Sequence, residues 1–268
     1  MSRGRILVTG GAGYIGSHAC KTLARAGYVP ITYDNLSNGH RWAVRWGPLV
    51  EGDLADSEKL RRVLAQERID AVMHFAAFAY VGESMVKPRE YFHNNVVNTL
   101  NLLAAMQDAG VARIVVSSTC SVYGEAQALP IPETQPCLPI NPYGESKLFV
   151  ERALAWHEQA YGLRWMALRY FNAAGADPEG ELGEIHEPET HVLPLVIQTA
   201  LGLRPQFDIF GTDYPSPDGS CVRDFVHVSD VADAHVRALD HLIAGRSSCS
   251  VSCKILTCLT CLNWIYSL

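Results

Sequence analysis

Tyr143 and Lys147 stand four positions apart in the run Asn141-Pro-Tyr-Gly-Glu-Ser-Lys147, at the head of a helical stretch, so their side chains share one helix face. A free tyrosine ionises near pH ~10, too high for a base at neutral pH, but a neighbouring ammonium favours the phenolate. Tyr143 can then act as a general base. Thr119 ends the apolar run Arg113-Ile-Val-Val-Ser-Ser-Thr119, and a hydroxyl there can bridge a substrate oxygen and the phenol. A Tyr-x-x-x-Lys pair by itself is common on amphipathic helices and means little. It gains meaning from a second motif far upstream.

Gly10, Gly13 and Gly16 lie in Arg5-Ile-Leu-Val-Thr-Gly-Gly-Ala-Gly-Tyr-Ile-Gly-Ser-His18, directly after an apolar strand. The spacing is G-x-x-G-x-x-G rather than the G-x-G-x-x-G of the standard dinucleotide fingerprint, but the physical requirement is the same. Residues without a Cβ let backbone N–H groups and a helix N-terminus approach a pyrophosphate. After Ile6, Leu7 and Val8, the positions Ile15, Ala19, Leu23 and Ala26 carry helical spacing, Gly27 marks a helix stop, and Tyr28 to Tyr33 form a second strand that ends in Asp34. An acid at the tip of that strand accepts hydrogen bonds from ribose hydroxyls and repels a 2′-phosphate, so Asp34 predicts NAD rather than NADP.

The same alternation of strand and helix continues. Strands are predicted at 48–54, 70–76, 113–119 and 164–171, with helices at about 56–66, 88–108 and 143–160. Strands separated by helices imply a doubly wound parallel sheet of the Rossmann-like α/β class, with functional residues at the strand C-terminal ends. This unit is expected to span 1–175. Beyond Asn172 the chain turns rich in Gly, Pro, Glu and Asp, and a smaller, incomplete C-terminal lobe for substrate is expected over 176–246. That lobe is predicted to hold a helix near 193–202, strands at 207–211 and 222–228, and a helix capped by Ser229 with Asp230 in its first turn.

With 268 residues, 48% hydrophobic and 19% charged, the chain has enough apolar material for a full core. A net charge of −6 argues against nucleic-acid or anionic-membrane partners, including for Trp42 and Trp46 beside Arg41 and Arg45, which read as a packed surface helix. No window offers the roughly 18 apolar residues of a membrane span, and the first strand begins at the N-terminus without a signal peptide, so a cytoplasmic location is expected. Cys20, Cys120, Cys137 and Cys221 read as reduced thiols. The histidines His74, His93, His157, His227, His235 and His241 are dispersed, so no metal site is expected.

Together the motifs resemble the extended short-chain dehydrogenase/reductase family, and within it the UDP-glucose 4-epimerases. The resemblance is carried by the glycine run to His18, Tyr33-Asp-Asn-Leu36, His74-Phe-Ala-Ala77, Tyr80-Val-Gly-Glu-Ser84, Ser117-Ser-Thr-Cys-Ser-Val-Tyr-Gly124, Asn141 to Lys147, Leu168-Arg-Tyr-Phe-Asn172 and Val222-Arg-Asp-Phe-Val-His-Val228. It implies a non-redox outcome from redox chemistry: Tyr143 takes the proton of the sugar 4-hydroxyl, hydride passes from C4 to tightly held NAD, and the 4-ketose rotates and regains hydride on its other face. It also implies that Lys147 binds the nicotinamide ribose and lowers the tyrosine pKa. Gly10, Gly13, Tyr14, Ile15, Gly16, Asp34, Asn35, Asp53, Leu54, Phe75, Ala76, Asn94 and Phe171 are then expected to hold NAD, and Thr119, Tyr143, Asn172, His191 and Arg223 to meet the UDP-sugar. The resemblance further suggests a homodimer through two helices bearing Leu100, Leu103, Ala104 and Gln107 on one and Phe149, Leu154 and Trp156 on the other.

The chain departs from its relatives at Ala79, where several carry lysine, and at His191, where many carry asparagine. The related nucleotide-sugar 4,6-dehydratases follow the catalytic threonine with Asp-Glu, whereas Thr119 is followed by Cys120 and Ser121, which cannot serve as a carboxylate acid/base pair. A 4-epimerase acting on UDP-pentoses or UDP-N-acetylhexosamines is the nearest alternative. From Ser247 the composition shifts, with Cys249, Cys253, Cys258 and Cys261, no acidic residue and Lys254 as the one charge. Residues 247–268 therefore read as an atypical Cys-rich tail in place of the rest of the sugar lobe. That reading implies weak UDP-sugar binding or an inactive NAD-binding remnant. The four residues between the cysteine pairs leave little room for a zinc loop.

Overall fold

Successive residues of the predicted strands divide cleanly between two apolar clusters. Ile6, Val8, Val115, Met166 and Leu168 belong to one, and Leu7, Ile114, Val116 and Ala167 to the other. Period-two alternation with apolar residues on both faces is what a strand buried between two helical layers requires. The computed structural model describes residues 2–252, and its elements follow from this pattern.

The chain runs through β1 (Arg5–Thr9), α1 (Tyr14–Arg25), β2 (Val29–Asp34), β3 (Leu49–Glu51), α2 (Ser57–Gln66), β4 (Ala71–His74), α3 (Val81–Val86), α4 (Pro88–Tyr91), α5 (Asn98–Asp108) and β5 (Arg113–Ser117). It continues through α6 (Pro142–Tyr161), β6 (Arg164–Arg169), β7 (Asn172–Ala174), α7 (Val192–Ala200), β8 (Phe225–His227), α8 (Val228–Ile243) and β9 (Cys249–Ser252). Seven strands form a parallel sheet in the order β3-β2-β1-β4-β5-β6-β9, the doubly wound Rossmann-like architecture that the sequence predicts, and β7 pairs with β8 in a separate parallel ribbon. Helices α1 and α8 cover one face of the sheet, with Ala19, Leu23, Val231, Leu239 and Leu242 in the cluster there. The opposite face is covered by α2, α5 and α6, which contribute Leu60, Leu64, Leu102, Leu103 and Leu154.

Several elements differ from the sequence expectation. The stretch 88–108 is not one helix: Phe92–Val97 winds as a wide π-type segment between α4 and α5. The buried Asn95 side chain explains its use, since Nδ2 donates to Phe78 O and Ser146 Oγ (both 3.0 Å) while Oδ1 accepts from Phe78 N (2.8 Å). It ties the segment after β4 to α6. No strand forms at 207–211, where Phe207, Ile209 and Phe210 are exposed and find no partner strand among the described residues. The helix predicted after Ser229 begins at Val228, and its cap is His227, whose Nδ1 accepts from Ser229 N (3.2 Å).

Residues 249–252 are built into the sheet rather than standing apart as a tail. In β9, Cys249 to Ser252 run in register with Met166 to Arg169 of β6. The strand alternates like the others: Val251 is buried in the α1/α8 cluster, while the hydroxyls of Ser250 and Ser252 face α6 and the loop after β5. Of the four clustered cysteines only Cys249 is described; Cys253, Cys258 and Cys261 lie outside the described residues, as does the rest of the predicted tail.

Those serine hydroxyls complete a buried polar network. Glu151 on α6 accepts from Arg169 Nε (3.0 Å), Ser118 Oγ (2.5 Å) and Ser250 Oγ (3.0 Å), and pairs also with Arg169 Nη2. Arg169 Nη1 donates to Tyr123 Oη (2.8 Å), which bonds Ser252 Oγ (2.8 Å). Removing one partner of a buried pair strands the other without water, at a cost of about 3 to 5 kcal/mol. Arg169→Met is therefore expected to lower the free energy of unfolding in urea by that amount. Arg61→Ala, which breaks the exposed Arg61–Asp108 pair, should cost under ~1 kcal/mol. Equal losses in the two variants would show that the network contributes no more than a surface pair.

Candidate active site

A parallel sheet leaves a crevice where successive connections leave to opposite sides, and here that point lies between β1 and β4. Gly10 follows β1 with φ +72°, and a Cβ on it would lie 2.6 Å from Ala76 N, just past β4. A Cβ on Gly16 would lie 2.1 Å from Gly10 O, so both glycines are demanded by the packing of strand tip against helix. Gly13 differs. A Cβ there would meet only Gly10 O, at 3.4 Å, yet Gly13 lines the cleft at the N-terminus of α1. No side chain caps this helix and no acid sits in its first turn, so its N–H groups and positive dipole end are left for an anionic ligand.

Two adjoining cavities share Gly10, Gly13, Asn38, Phe75 and Ala77. The smaller, about 130 Å³, is bordered by Asp34, Asn35, Asp53, Leu54, Ala76 and Asn94. Asp34, at the end of β2, accepts from Ala12 N (2.9 Å) and Leu36 N (2.8 Å), and burial raises its carboxyl pKa. Asn35 Nδ2 donates to Asp53 Oδ2 (2.7 Å), fixing the rim. The larger cavity, about 310 Å³, is bordered by Tyr14, Ile15, Gly16, Thr119, Tyr143, Lys147, Phe171, Asn172 and His191. Thus seventeen predicted positions besides His191 converge on one continuous cleft. Arg223 does not: it is exposed in the irregular segment before β8, and its Nη1 donates to Val222 O (2.9 Å).

Tyr143 and Lys147 are delivered by the first turns of α6, where Asn141 caps the helix by accepting from Gly144 N (2.8 Å) and Pro142 occupies the first position. Thr119, just past β5, accepts from Ser121 N (3.1 Å) and borders the same cavity as Tyr143, whose pKa its side chain lowers. Lys147 Nζ donates to Ser117 O (2.9 Å), which leaves ammonium protons for a ligand. Burial pushes the Tyr143 phenol up to about 12 against the opposing effect of Thr119, and pushes the Lys147 ammonium down to about 8 against the Glu151 carboxylate. The Lys147 charge also helps burial push His74 down to about 3, so that imidazole is neutral between Thr9 Oγ1 (2.6 Å) and Thr99 Oγ1 (2.9 Å).

The cleft also contains residues that the sequence reading left out: Ser117, Tyr170, Tyr80, Glu184 and His186. Ser117 and Tyr170 share a hydrogen bond across β5 and β6. The segment Glu184-Ile-His-Glu-Pro-Glu-Thr-His191 resembles an ordinary polar loop by composition, but two histidines interleaved with acids were a signal that something beyond solvation is assembled there.

The residues fit a dinucleotide: an uncapped helix end over an open glycine, an acid at the second strand tip and two adjoining cavities that run between them. Residues 6–251 match the family model described as NAD dependent epimerase/dehydratase family. A UDP-glucose 4-epimerase of Rhizobium leguminosarum bv. trifolii is 54% identical over 247 residues, covering 92% of this chain and 76% of the relative. Among solved structures, UDP-glucose 4-epimerase from Brucella ovis in complex with NAD superposes with a TM-score of 0.92 at 49% identity, covering 94% of this chain and 77% of that one. The UDP-glucose 4-epimerase from Bifidobacterium longum in complex with NAD+ and UDP gives 0.89 at 38% identity, covering 93% and 78%. Among the described residues no helix is long and apolar enough to cross a membrane.

The glycines separate packing from ligand approach. Gly16→Ala is expected to lower the melting temperature, because its Cβ has no space. Gly13→Ala should keep the wild-type melting temperature of the ligand-free protein and lose at least ~10-fold in dinucleotide affinity, read by fluorescence titration. Unchanged affinity in Gly13→Ala would remove the glycine turn from the binding site.

Proposed function

The chain belongs to the NAD dependent epimerase/dehydratase family, and on that premise we propose that it interconverts UDP-glucose and UDP-galactose by inverting the sugar at C4. The observation that carries this reading is the meeting of Thr119, Tyr143 and Lys147 with the glycine turn in one cleft. Cys120 and Ser121 support epimerisation over dehydration, because elimination of water needs an acid/base pair that they do not supply. The NAD and UDP bound to the Brucella and Bifidobacterium enzymes support the same ligand classes here.

Bound NAD supplies the acceptor that takes hydride from C4 and returns it to the other face, and the positive charge of its oxidised form favours a nearby phenolate. In the proposed reaction Tyr143 takes the proton from the 4-hydroxyl and later returns it. Thr119 holds the same oxygen through its hydroxyl and keeps the phenol aligned. Lys147 binds the nicotinamide ribose with the protons that Ser117 O does not use. Asp34, Asn35, Asp53 and Leu54 hold the adenosine end, with Asp34 selecting against a 2′-phosphate. Phe75, Ala76, Asn94 and Phe171 line the cofactor's course, while Asn172 and His191 face the sugar nucleotide. Arg223 does not border the cleft, and it is kept as a proposed substrate contact on the chemistry of guanidinium and phosphate alone. Exposed Leu100 on α5 and Phe149 and Trp156 on α6 support a homodimer through these two helices.

The test is conversion of UDP-galactose to UDP-glucose, followed by chromatography, without added NAD if the cofactor is retained. Tyr143→Phe should reduce turnover by about 10² to 10⁴-fold while the NAD released on denaturation stays at the wild-type level. Undiminished turnover in this variant would assign the base elsewhere.

A further inference from the structure

We propose that Glu184, His186, Glu189 and His191 form a four-ligand site for a divalent cation of the zinc type in the wall of the larger cavity. The ligand atoms of all four side chains lie within 4.8 Å of one another. His191 Nδ1 is 3.0 Å from Glu184 Oε1, and His186 Nδ1 is 3.5 Å from Glu184 Oε1 and from Glu189 Oε2. Zinc bonds to nitrogen and oxygen of about 2.0 to 2.2 Å place neighbouring ligands of a tetrahedron about 3.3 to 3.6 Å apart. The observed separations scatter around that edge.

A second observation points the same way. His186 Nδ1 is buried and makes no hydrogen bond, although two carboxylate oxygens stand 3.5 Å from it. A buried polar atom without a partner is costly, and a cation at the common focus satisfies it together with both carboxylates. Glu189 is already fixed for such a task, because its Oε1 accepts from Thr190 N and His191 N (2.8 Å each). A carboxylate held by backbone keeps its other oxygen in place at no further loss of side-chain freedom.

The neighbouring acidic cluster makes the contrast. Asp177, Glu179 and Glu181 also converge, but the Lys21 ammonium occupies their focus at 2.7, 2.8 and 2.7 Å. There a side chain supplies the cation. At 184–191 the residues between the carboxylates are two imidazoles, a donor set suited to zinc, cobalt or nickel rather than to magnesium or calcium. Four protein ligands fill a tetrahedron, so the site is structural. It would fasten the irregular segment between β7 and α7 against Tyr14 and Tyr80, whose rings lie 6.5 and 6.1 Å from that of His186. The sequence concealed the site because its His-x-x-x-x-His stands in a polar loop without the cysteine pair that usually accompanies that spacing.

The experiment reads metal rather than turnover, so it stands or falls separately from the proposed epimerisation. The purified chain is stripped with chelator, titrated with Zn²⁺ by calorimetry, and reloaded with Co²⁺ for its visible spectrum. About one equivalent of zinc and an intense tetrahedral cobalt band without thiolate charge transfer are expected. Affinity should fall by at least ~10-fold in His186→Ala and in Glu184→Gln and stay unchanged in Glu179→Gln, with folding checked by circular dichroism. The cobalt spectrum of the wild-type chain decides the matter even where a variant fails to fold. Absence of binding, binding unaltered in His186→Ala, or a spectrum dominated by thiolate ligands, which would assign the metal to the cysteines, overturns the proposal.

Discussion

At the carboxyl ends of β1 and β4 the backbone leaves no room for a side chain, and the geometry of the cleft follows from that contact. The Thr9 carbonyl accepts from both Phe75 N (2.9 Å) and Ala76 N (3.1 Å), drawing the segment after β4 across the end of β1. Gly10 turns with positive φ beneath it, and Gly16 brings the first turn of α1 down onto Gly10 O. A Cβ on Gly10 would push against the backbone of Phe75 and Ala76, and one on Gly16 would force α1 away from Gly10 O. The consequence is electrostatic as well as steric: the uncapped positive end of α1 is held over the crevice rather than beside it, and Phe75 and Ala76 become its far wall.

The other wall rests on α6, which has to hold a phenol and an ammonium to a fraction of an ångström. Lys147 and Glu151 stand one turn apart on it, and adjacent residues of one strand end engage both: Ser117 O accepts from the lysine, and Ser118 Oγ donates to the glutamate. Through Arg169 and Ser250 the same glutamate joins α6 to β6 and β9. A buried ion pair gains little net stability over an apolar pair, because desolvation offsets the attraction. What it does supply is direction, since a Glu–Arg fork admits one registry of helix and strand where a leucine contact admits several. That the network reaches β9 means that residues 249–252, polar and cysteine-bearing as they are, take part in positioning the helix that carries Tyr143.

Much of this was legible in the residues themselves. The strand–glycine–helix–strand–Asp34 order and the alternation of apolar runs dictate the sheet, and the strand ends then bring Thr119, Phe75 and Asp34 to one edge without further information. What escaped was set by tertiary contact. Asn95 supports a π-type turn that no periodicity encodes, because its reward is a set of hydrogen bonds to Phe78 and Ser146 far along the chain. Residues 249–252 have the composition of a tail and the alternation of a strand, and the second property decided, because β6 offers them an edge and Glu151 and Tyr123 offer partners to the Ser250 and Ser252 hydroxyls. Phe207 to Phe210 show the converse, strand-like in type but exposed where no partner edge reaches them. The convergence of His186 with His191 depends on how a loop closes, and composition reports only that the loop is polar.

The titration states of the two helix-borne groups carry a last consequence for how such a cleft behaves. One low-dielectric environment acts on opposite charges in opposite directions: it holds the proton on Tyr143 and weakens the hold of Lys147 on its own. Both shifts favour neutral forms. Thr119 favours the phenolate, but in the cleft by itself burial outweighs it. Under the proposed function the missing favourable charge comes with the oxidised cofactor, so the base is formed where and when a hydride acceptor is present. Burial that looks adverse to a general base thereby keeps proton removal from running ahead of the step that makes it useful.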